Sequence, residues 1–334
     1  MEMKGLKESS EKIKSVENIV IACHINPDGD AIGSLVSLGL GLKQMGKEVD
    51  MLSPDGVPEM YRGLPGTENI KERTSRIPEL AIAVDSGNKK LLGRSLETFE
   101  KAKWVLSIDH HEVREPYGNL QIVEPASSSV GELIYLLLKE LSVDIAKDIA
   151  LNILTSIIVE TNSFRLPNIR PLAFEICARL LETGIDFYSL SEMVYWSKTK
   201  EAALLLGICL SRCKYLKNGR IVWSELKHED LLNTGGKKED ADIVAGEMLS
   251  VKDVKIAIFF REEGDVIRVS LRSKGNVNVA EIARKYDGGG HSDSAGCFIT
   301  NSQEAISKVL KNAESLLENP QKGKQIIENR EQKR

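Results

Sequence analysis

The sequence predicts an α/β protein: an open, doubly wound, mainly parallel sheet in the N-terminal part, followed by a smaller α+β domain. Three observations carry this expectation. Short continuous apolar runs recur between helical stretches up to about residue 165, as in parallel strands covered on both faces. The composition then changes after about residue 215 to β-rich runs. With 334 residues the chain is also long for one core, so two domains are expected.

The elements follow in order. Ile19-Val20-Ile21-Ala22 reads as a strand continuing to Cys23. Ala31 to Met45 reads as a helix, with Ile32, Leu35, Leu38 and Leu42 at helical spacing and Gly46 as its stop. Glu48 to Leu52, Leu80 to Val84 and Trp104 to Ile108 are the next strands. Ser128 or Ser129 can cap a helix from Val130 to Leu141, and residues 146–160 and 171–183 also look helical. A helical pattern from Ser189 to about Tyr215 suggests a connector. Val254 to Phe260 and Val266 to Lys274 are β-rich, with Arg261-Glu262-Glu263-Gly264-Asp265 as a hairpin link. A helix from Val279 to Tyr286 leads into a glycine run and a strand at Gly296 to Ile299. The expected division is 1–190, a connector over 191–215, a second domain over 216–318 and a charged tail over 319–334.

Composition excludes several classes. The hydrophobic share is 42%, no apolar stretch approaches membrane-spanning length, and the charged opening residues are not a signal segment, so a cytoplasmic protein is expected. Five cysteines are scattered, with only Cys209 and Cys213 close and no metal-ribbon spacing around them. The net charge of −4 argues against a protein that grips long nucleic acid through its backbone. An anionic substrate would be small and held by a local basic cluster.

Three expected strand ends finish in metal-type ligands: His24-x3-Asp28-x-Asp30, Asp85 in Val84-Asp85-Ser86, and Asp109-His110-His111. In an open parallel sheet the carboxyl ends of the strands are where ligands gather. Each piece has an ordinary reading of its own. Asn26-Pro27-Asp28-Gly29 is a good turn sequence, Asp30 can cap the following helix, and a histidine pair can sit in any loop. Together, however, several carboxylates converge, which is costly without a cation. Imidazoles plus carboxylates suit Mn²⁺, Zn²⁺ or Fe²⁺. The ligand number fits two ions about 3.5–4 Å apart, the arrangement that supplies a nucleophile and neutralises a phosphoryl group.

These residues resemble the DHH phosphoesterase superfamily, whose triad here is Asp109-His110-His111. His24-Ile25-Asn26-Pro27-Asp28-Gly29-Asp30 matches its first motif and Val84-Asp85-Ser86 its second. Gly288-Gly289-Gly290-His291-Ser292-Asp293-Ser294-Ala295-Gly296 is similar to the signature of the DHH-associated C-terminal domain. The size and domain pair resemble the stand-alone oligoribonuclease and pAp phosphatase (nano-RNase) group. The resemblance implies Mn²⁺ as the usual metal, two ions being expected. It makes His24 and Asp28 ligands of one ion, Asp85 a bridge, and Asp30 and His110 ligands of the second. Asp109 would orient a histidine, and His111 would contact the scissile phosphate or assist the leaving group. Where the family has an aspartate in its fourth motif, this chain has Glu160, in Val159-Glu160-Thr161-Asn162-Ser163-Phe164. The carboxylate is kept one methylene further out.

On the strand Val266 to Lys274, Arg268, Ser270, Arg272 and Lys274 alternate with apolar residues. Arg268 reads as part of a solvated face. Arg272 and Lys274 correspond by resemblance to family positions that hold phosphate. Gly288, Gly289 and Gly290 let backbone N–H groups approach an anion, with His291 beside them. The activity implied is a manganese-dependent phosphodiesterase releasing 5′-mononucleotides from short RNA or linear dinucleotides, with pAp as a further substrate. Alternatives are a cyclic-dinucleotide phosphodiesterase and a nucleotide-binding protein of the same fold that has lost turnover. Expected partners are short oligoribonucleotides, dinucleotides and pAp, with no long duplex and no membrane; a homodimer stays open.

Overall fold

The computed structural model describes residues 3–111, 114–166, 168–290 and 292–318. The chain divides into two compact units, Met1–Ser197 and Lys198–Arg334. The stretch 191–215, read from the sequence as one connector, is shared between them. The tail expected over 319–334 lies outside the described residues.

In the first unit α1 (Leu6–Lys14) precedes β1 (Asn18–Ala22), α2 (Gly29–Gln44), β2 (Glu48–Leu52), β3 (Ile70–Lys71), β4 (Leu80–Val84), α3 (Leu96–Glu100), β5 (Trp104–Asp109) and β6 (Leu120–Val123). Four helices follow: α4 (Val130–Glu140), α5 (Lys147–Glu160), α6 (Pro171–Glu182) and α7 (Phe187–Tyr195). All six strands are parallel, in the order β3-β2-β1-β4-β5-β6. The alternation of side chains explains why these runs are continuously apolar. On β1, Ile19 and Ile21 join the large core beneath α2, α4 and α5, while Val20 and Ala22 join a smaller core with Leu92 and Phe99 on the opposite face. β4 repeats this, with Leu80, Ile82 and Val84 on one side and Ala81 and Ala83 on the other. Each fully buried Leu or Ile contributes about 1.5–3 kcal/mol.

The strand order reverses between β1 and β4. From β1 the chain runs outward to β2 and β3, then returns to β4 and proceeds the other way. Such a switch point parts the loops leaving two adjacent strands and opens a crevice at their carboxyl ends. α2 and α5 are drawn close by Gly33, where a Cβ would lie 2.4 Å from the Asn152 carbonyl oxygen.

In the second unit α8 (Lys200–Ser211), β7 (Lys214–Leu216), β8 (Ile221–Leu226), α9 (His228–Thr234), α10 (Val244–Leu249), β9 (Ile256–Glu263), β10 (Val266–Ser273), α11 (Ala280–Arg284), β11 (Gly289–Gly290), β12 (Ser294–Thr300) and α12 (Gln303–Glu318) build a mixed sheet of order β11-β12-β10-β9-β8-β7. Ile267, Val269 and Leu271 face a core shared with α11 and α12, and the other face of β8 and β9 packs on α8, α9 and α10. β9 runs three residues beyond its expected end, leaving only Gly264-Asp265 as the turn. Arg261, read from the sequence as turn, is 5% exposed because Asp242, Glu263 and the Lys238 carbonyl accept its guanidinium. No helix among the described residues is long and apolar enough to cross a membrane.

Candidate metal centre

The switch point gathers the acids and imidazoles of three strand ends. β1 leads into His24, whose Nδ1 donates to the Ile25 carbonyl at 2.7 Å. A carbonyl only accepts, so this bond puts a proton on Nδ1 and leaves Nε2 facing Asp85 Oδ2 at 3.5 Å. Asp28 caps α2, its Oδ1 accepting the N–H groups of Asp30 and Ala31 at 3.0 Å. The helix therefore begins at Gly29, two residues before the sequence pattern suggested, and Asp30 falls inside its first turn rather than at the cap.

Asp30 is fully buried and surrounded by donors. Its Oδ2 accepts the Val130 N–H at 3.0 Å, and its Oδ1 accepts Ser156 Oγ at 2.6 Å, Ser34 Oγ at 3.2 Å and the Gly131 N–H at 3.3 Å. Two of those donors are the first N–H groups of α4, which Ser129 caps through the Glu132 N–H. A helix N-terminus thus holds this carboxylate. Burial, with the nearby Asp85 carboxylate, still pushes Asp30 up to about 7, against the opposing pull of His110.

Asp85 stands one residue past β4. Its N–H continues the ladder to the Ile108 carbonyl at 2.9 Å, and its own backbone is left-handed at φ 54°. A non-glycine residue held so costs on the order of 1–3 kcal/mol, a strain that concentrates at functional sites. Burial works to raise its pKa, but His24, His111 and His110 together hold the carboxyl far below the usual range. Among the described residues its Oδ1 is buried without a hydrogen-bond partner, as is Asp109 Oδ2.

After β5, His110 Nδ1 donates to the Ser127 carbonyl at 3.2 Å. Its Nε2 then faces Asp30 Oδ2 and Glu160 Oε1, each at 3.6 Å, and Asp85 Oδ1 at 3.9 Å. His111 Nδ1 donates to Asp109 Oδ1 at 2.6 Å and lies 3.6 Å from Asp85 Oδ1. Burial works to lower the pKa of His111, yet the bond to Asp109 and the Asp85 charge raise it to about 9. His24 likewise reaches about 9, burial being outweighed by Asp85.

Three groups of ligand atoms result, each drawn together within 4.8 Å: His24, Asp28 and Asp85; Asp30, His110 and Glu160; and Asp85, His110 and His111. Asp85 belongs to two of them. A divalent ion fits this set. It would satisfy the orphaned Asp85 oxygen, meet imidazole Nε2 atoms already oriented by backbone carbonyls, and offset four converging carboxylates. The donors are nitrogen and oxygen only. Cys23, adjacent to His24, is buried with its thiol pushed up to about 12, so it offers no thiolate.

The second unit holds the remaining sequence candidates. Arg272 donates to Ser294 Oγ across the β10–β12 pair. The Lys274 ammonium donates to the Leu249 and Val251 carbonyls, closing the end of α10. Gly289 and Gly290 form β11 against Gly296 and Ala295, and a Cβ on Gly288 would lie 2.2 Å from the Gly296 carbonyl oxygen, so close strand approach alone requires that glycine. His291 lies outside the described residues. Sequence reasoning missed Ser34, Ser156 and the α4 N–H groups around Asp30. Ser156 lies in the middle of an apolar helix, and only its short hydroxyl between Ile153 and Ile157 hinted at a polar task.

Residues 18–157 match the DHH family, N-terminal domain, and residues 219–319 match the DHHA1 domain. The Thermus thermophilus protein named bifunctional oligoribonuclease and PAP phosphatase NrnA is 31% identical, covering 90% of this chain and 91% of its own. The Bacillus subtilis protein of the same name is 28% identical over 91% of this chain and 96% of its own. Among solved structures, an exopolyphosphatase-related protein from Bacteroides fragilis superposes with a TM-score of 0.89 at 26% identity, covering 96% of this chain and 97% of that one. With its DHH and DHHA1 domains in sequence and its acid and imidazole ligands gathered at the switch point, this chain belongs to the DHH family of phosphoesterases and is a hydrolase.

Proposed function

We propose that this chain is a manganese-dependent phosphodiesterase that cleaves short oligoribonucleotides and linear dinucleotides to 5′-mononucleotides and also dephosphorylates pAp. The observation that carries the reading is Asp85, shared by two ligand groups and holding a buried oxygen without a partner among the described residues. This sharing supports the reading of Asp85 as the carboxylate common to two ions. Similarity to two NrnA proteins over nine-tenths of the chain supports the substrate class.

When bound, a pair of divalent ions supplies charge neutralisation at the phosphoryl group and a water that loses its proton near neutral pH. The residues divide the rest. His24, Asp28 and Asp85 would hold one ion, and Asp85, Asp30, His110 and Glu160 the other. Asp109 fixes the His111 ring by accepting its Nδ1 proton, so that His111 meets the scissile phosphate or serves the departing 3′-oxygen. Water oxygen bonds to phosphorus, the P–O3′ bond breaks, and the products are a 5′-phosphate and a 3′-hydroxyl. In the second unit Arg272, pinned by Ser294, would anchor a substrate phosphate.

The test is turnover with Mn²⁺ against pApA, a trinucleotide, pAp, cyclic di-AMP and pyrophosphate. The expected result is AMP from the first three and no turnover of pyrophosphate. Preference for cyclic di-AMP over pApA would move the assignment to a cyclic-dinucleotide phosphodiesterase. Turnover of none of the five would overturn it.

A further inference from the structure

The serine turn Ser127-Ser128-Ser129, between β6 and α4, is tied to each member of the Asp30, His110 and Glu160 group. The Ser127 carbonyl accepts His110 Nδ1 at 3.2 Å. Ser129 caps α4, whose first N–H groups hold Asp30. Ser128 is joined to the segment that follows Glu160. Its Oγ donates to the Asn168 carbonyl at 3.0 Å and accepts the Arg170 N–H at 3.1 Å, and the Asn168 side-chain amide donates to the Ser128 carbonyl at 3.2 Å. All three serines are buried.

Glu132 fastens this turn. Fully buried, it accepts the Ser128 N–H at 3.1 Å with Oε2 and the Arg170 guanidinium with Oε1. Ser129-Val130-Gly131-Glu132 has the spacing of a capping box, and the ordinary reading is that Glu132 only completes the helix start. In such a box the carboxylate returns to the N–H of the capping residue. Here it reaches past Ser129 to Ser128 and gives its other oxygen to a residue 38 positions away. A buried ion pair adds little net stability, because taking both charges out of water offsets their attraction. What the pair supplies is geometry.

We infer that Glu132, through its ion pair with Arg170, is a positioning residue for the second ion, holding His110 and Glu160 at the separation that ion requires. The inference rests on the proposed two-ion centre. Glu160 needs such an anchor. Soon after it Asn162, Ser163 and Phe164 are all left-handed, with φ of 46°, 56° and 61°. Residues held so are strained and persist only where their surroundings dictate it. Thr161 secures the near side, its Oγ1 accepting the Phe164 N–H at 3.1 Å, and Asn168 and Arg170 secure the far side. His24 and Asp28 of the other ligand group are fixed differently, by the Ile25 carbonyl and by the N–H groups of Asp30 and Ala31. Loss of the Glu132–Arg170 pair should therefore be felt at one ion and not at both.

The test measures Mn²⁺ binding to the full chain by equilibrium dialysis in wild type, E132Q, R170K and E132Q/R170M, with thermal unfolding of each metal-free protein. Affinity for the weaker ion is expected to fall about tenfold or more in E132Q, with the tighter ion unchanged. The double variant leaves no buried charge alone, so it should regain melting temperature without regaining that affinity. Recovery of both together would show that the pair serves stability only and overturns the inference, as would an equal loss at both ions. Where E132Q and the double variant do not fold, R170K decides by the same comparison of the two ions. If wild type takes up fewer than two ions, the proposed centre fails on its own, and the His110 Nδ1–H proton resonance of metal-free protein decides whether Glu132 sets that ring. A shift or faster exchange in the variants, with the His24 resonance unmoved, supports the positioning role, and an unchanged His110 signal overturns it.

Discussion

Ser156 Oγ donates to Asp30 Oδ1 at 2.6 Å across 126 residues of sequence, and both side chains are fully buried. The same hydroxyl accepts the Gly131 N–H at 2.9 Å. One serine thereby ties a carboxylate on α2 to the start of α4.

Ser156→Ala should therefore free the Asp30 carboxylate to turn and leave it short of a donor. Metal affinity is expected to fall about tenfold or more, as for other groups that orient a ligand. Stability should drop by about 1–3 kcal/mol for the buried acceptor. Titration with Mn²⁺ followed by calorimetry, and thermal unfolding of the metal-free protein, read the two effects separately.

Proton release should accompany metal uptake. In the metal-free protein His24 is held at about 9, so it is charged at pH 7.5 and cannot offer Nε2 to a cation. Binding at that pH displaces the proton, and apparent affinity rises with pH until about 9. The linkage to stability has the opposite sense. A histidine pKa raised above 6.5 stabilises the metal-free fold fully below 6.5, and that contribution is lost as the pH climbs through about 9. Calorimetry in buffers of different ionisation enthalpy counts the protons; no release at pH 7.5 would contradict the charged state of His24.

Glu160 stands where the resemblance expects an aspartate, and its longer side chain brings Oε1 to 3.6 Å from His110 Nε2. Shortening it should cost rather than help. E160D is expected to weaken the second ion by withdrawing the carboxylate, and E160Q to weaken it further by removing the charge. Equilibrium dialysis should show binding of one ion intact and the other lost over at least a tenfold range of Mn²⁺. Unchanged stoichiometry in E160D would show instead that α5 tolerates either length.

Gly33→Ala tests the packing beneath the centre. The added methyl would meet the Asn152 carbonyl oxygen at 2.4 Å, a backbone atom that cannot swing aside. Stability should fall by about 1–3 kcal/mol, and metal affinity with it, because α2 carries Asp28 and Asp30. A melting temperature equal to wild type would mean that the helices separate freely.

Much of this site was readable from the chain because its ligands follow strands that advertise themselves. Leu80 to Val84 is apolar at every position since both faces of β4 are covered, and Asp85 then stands out as the first polar residue. The histidines of the triad follow β5 in the same way. Ser156 was not readable, since a serine within an apolar helix looks like any small core residue until Asp30 arrives from a distant segment. Arg261 misled for a related reason. Arg-Glu-Glu has the composition of a turn, and only the approach of Asp242 shows that the guanidinium is buried. The start of α2 shifted because Asp28, not Asp30, satisfies the free N–H groups.

The contribution of both α2 and α5 to one centre has a further consequence. Asp30 lies in the opening turn of the first helix and Glu160 closes the second, so an ion held between them would act as a rivet through the core as well as a reagent. Ligand at a hundredfold over its dissociation constant adds about 2.7 kcal/mol to the folded state. Divalent ion supply would then govern how long each molecule survives unfolding and proteolysis, in addition to how fast it works.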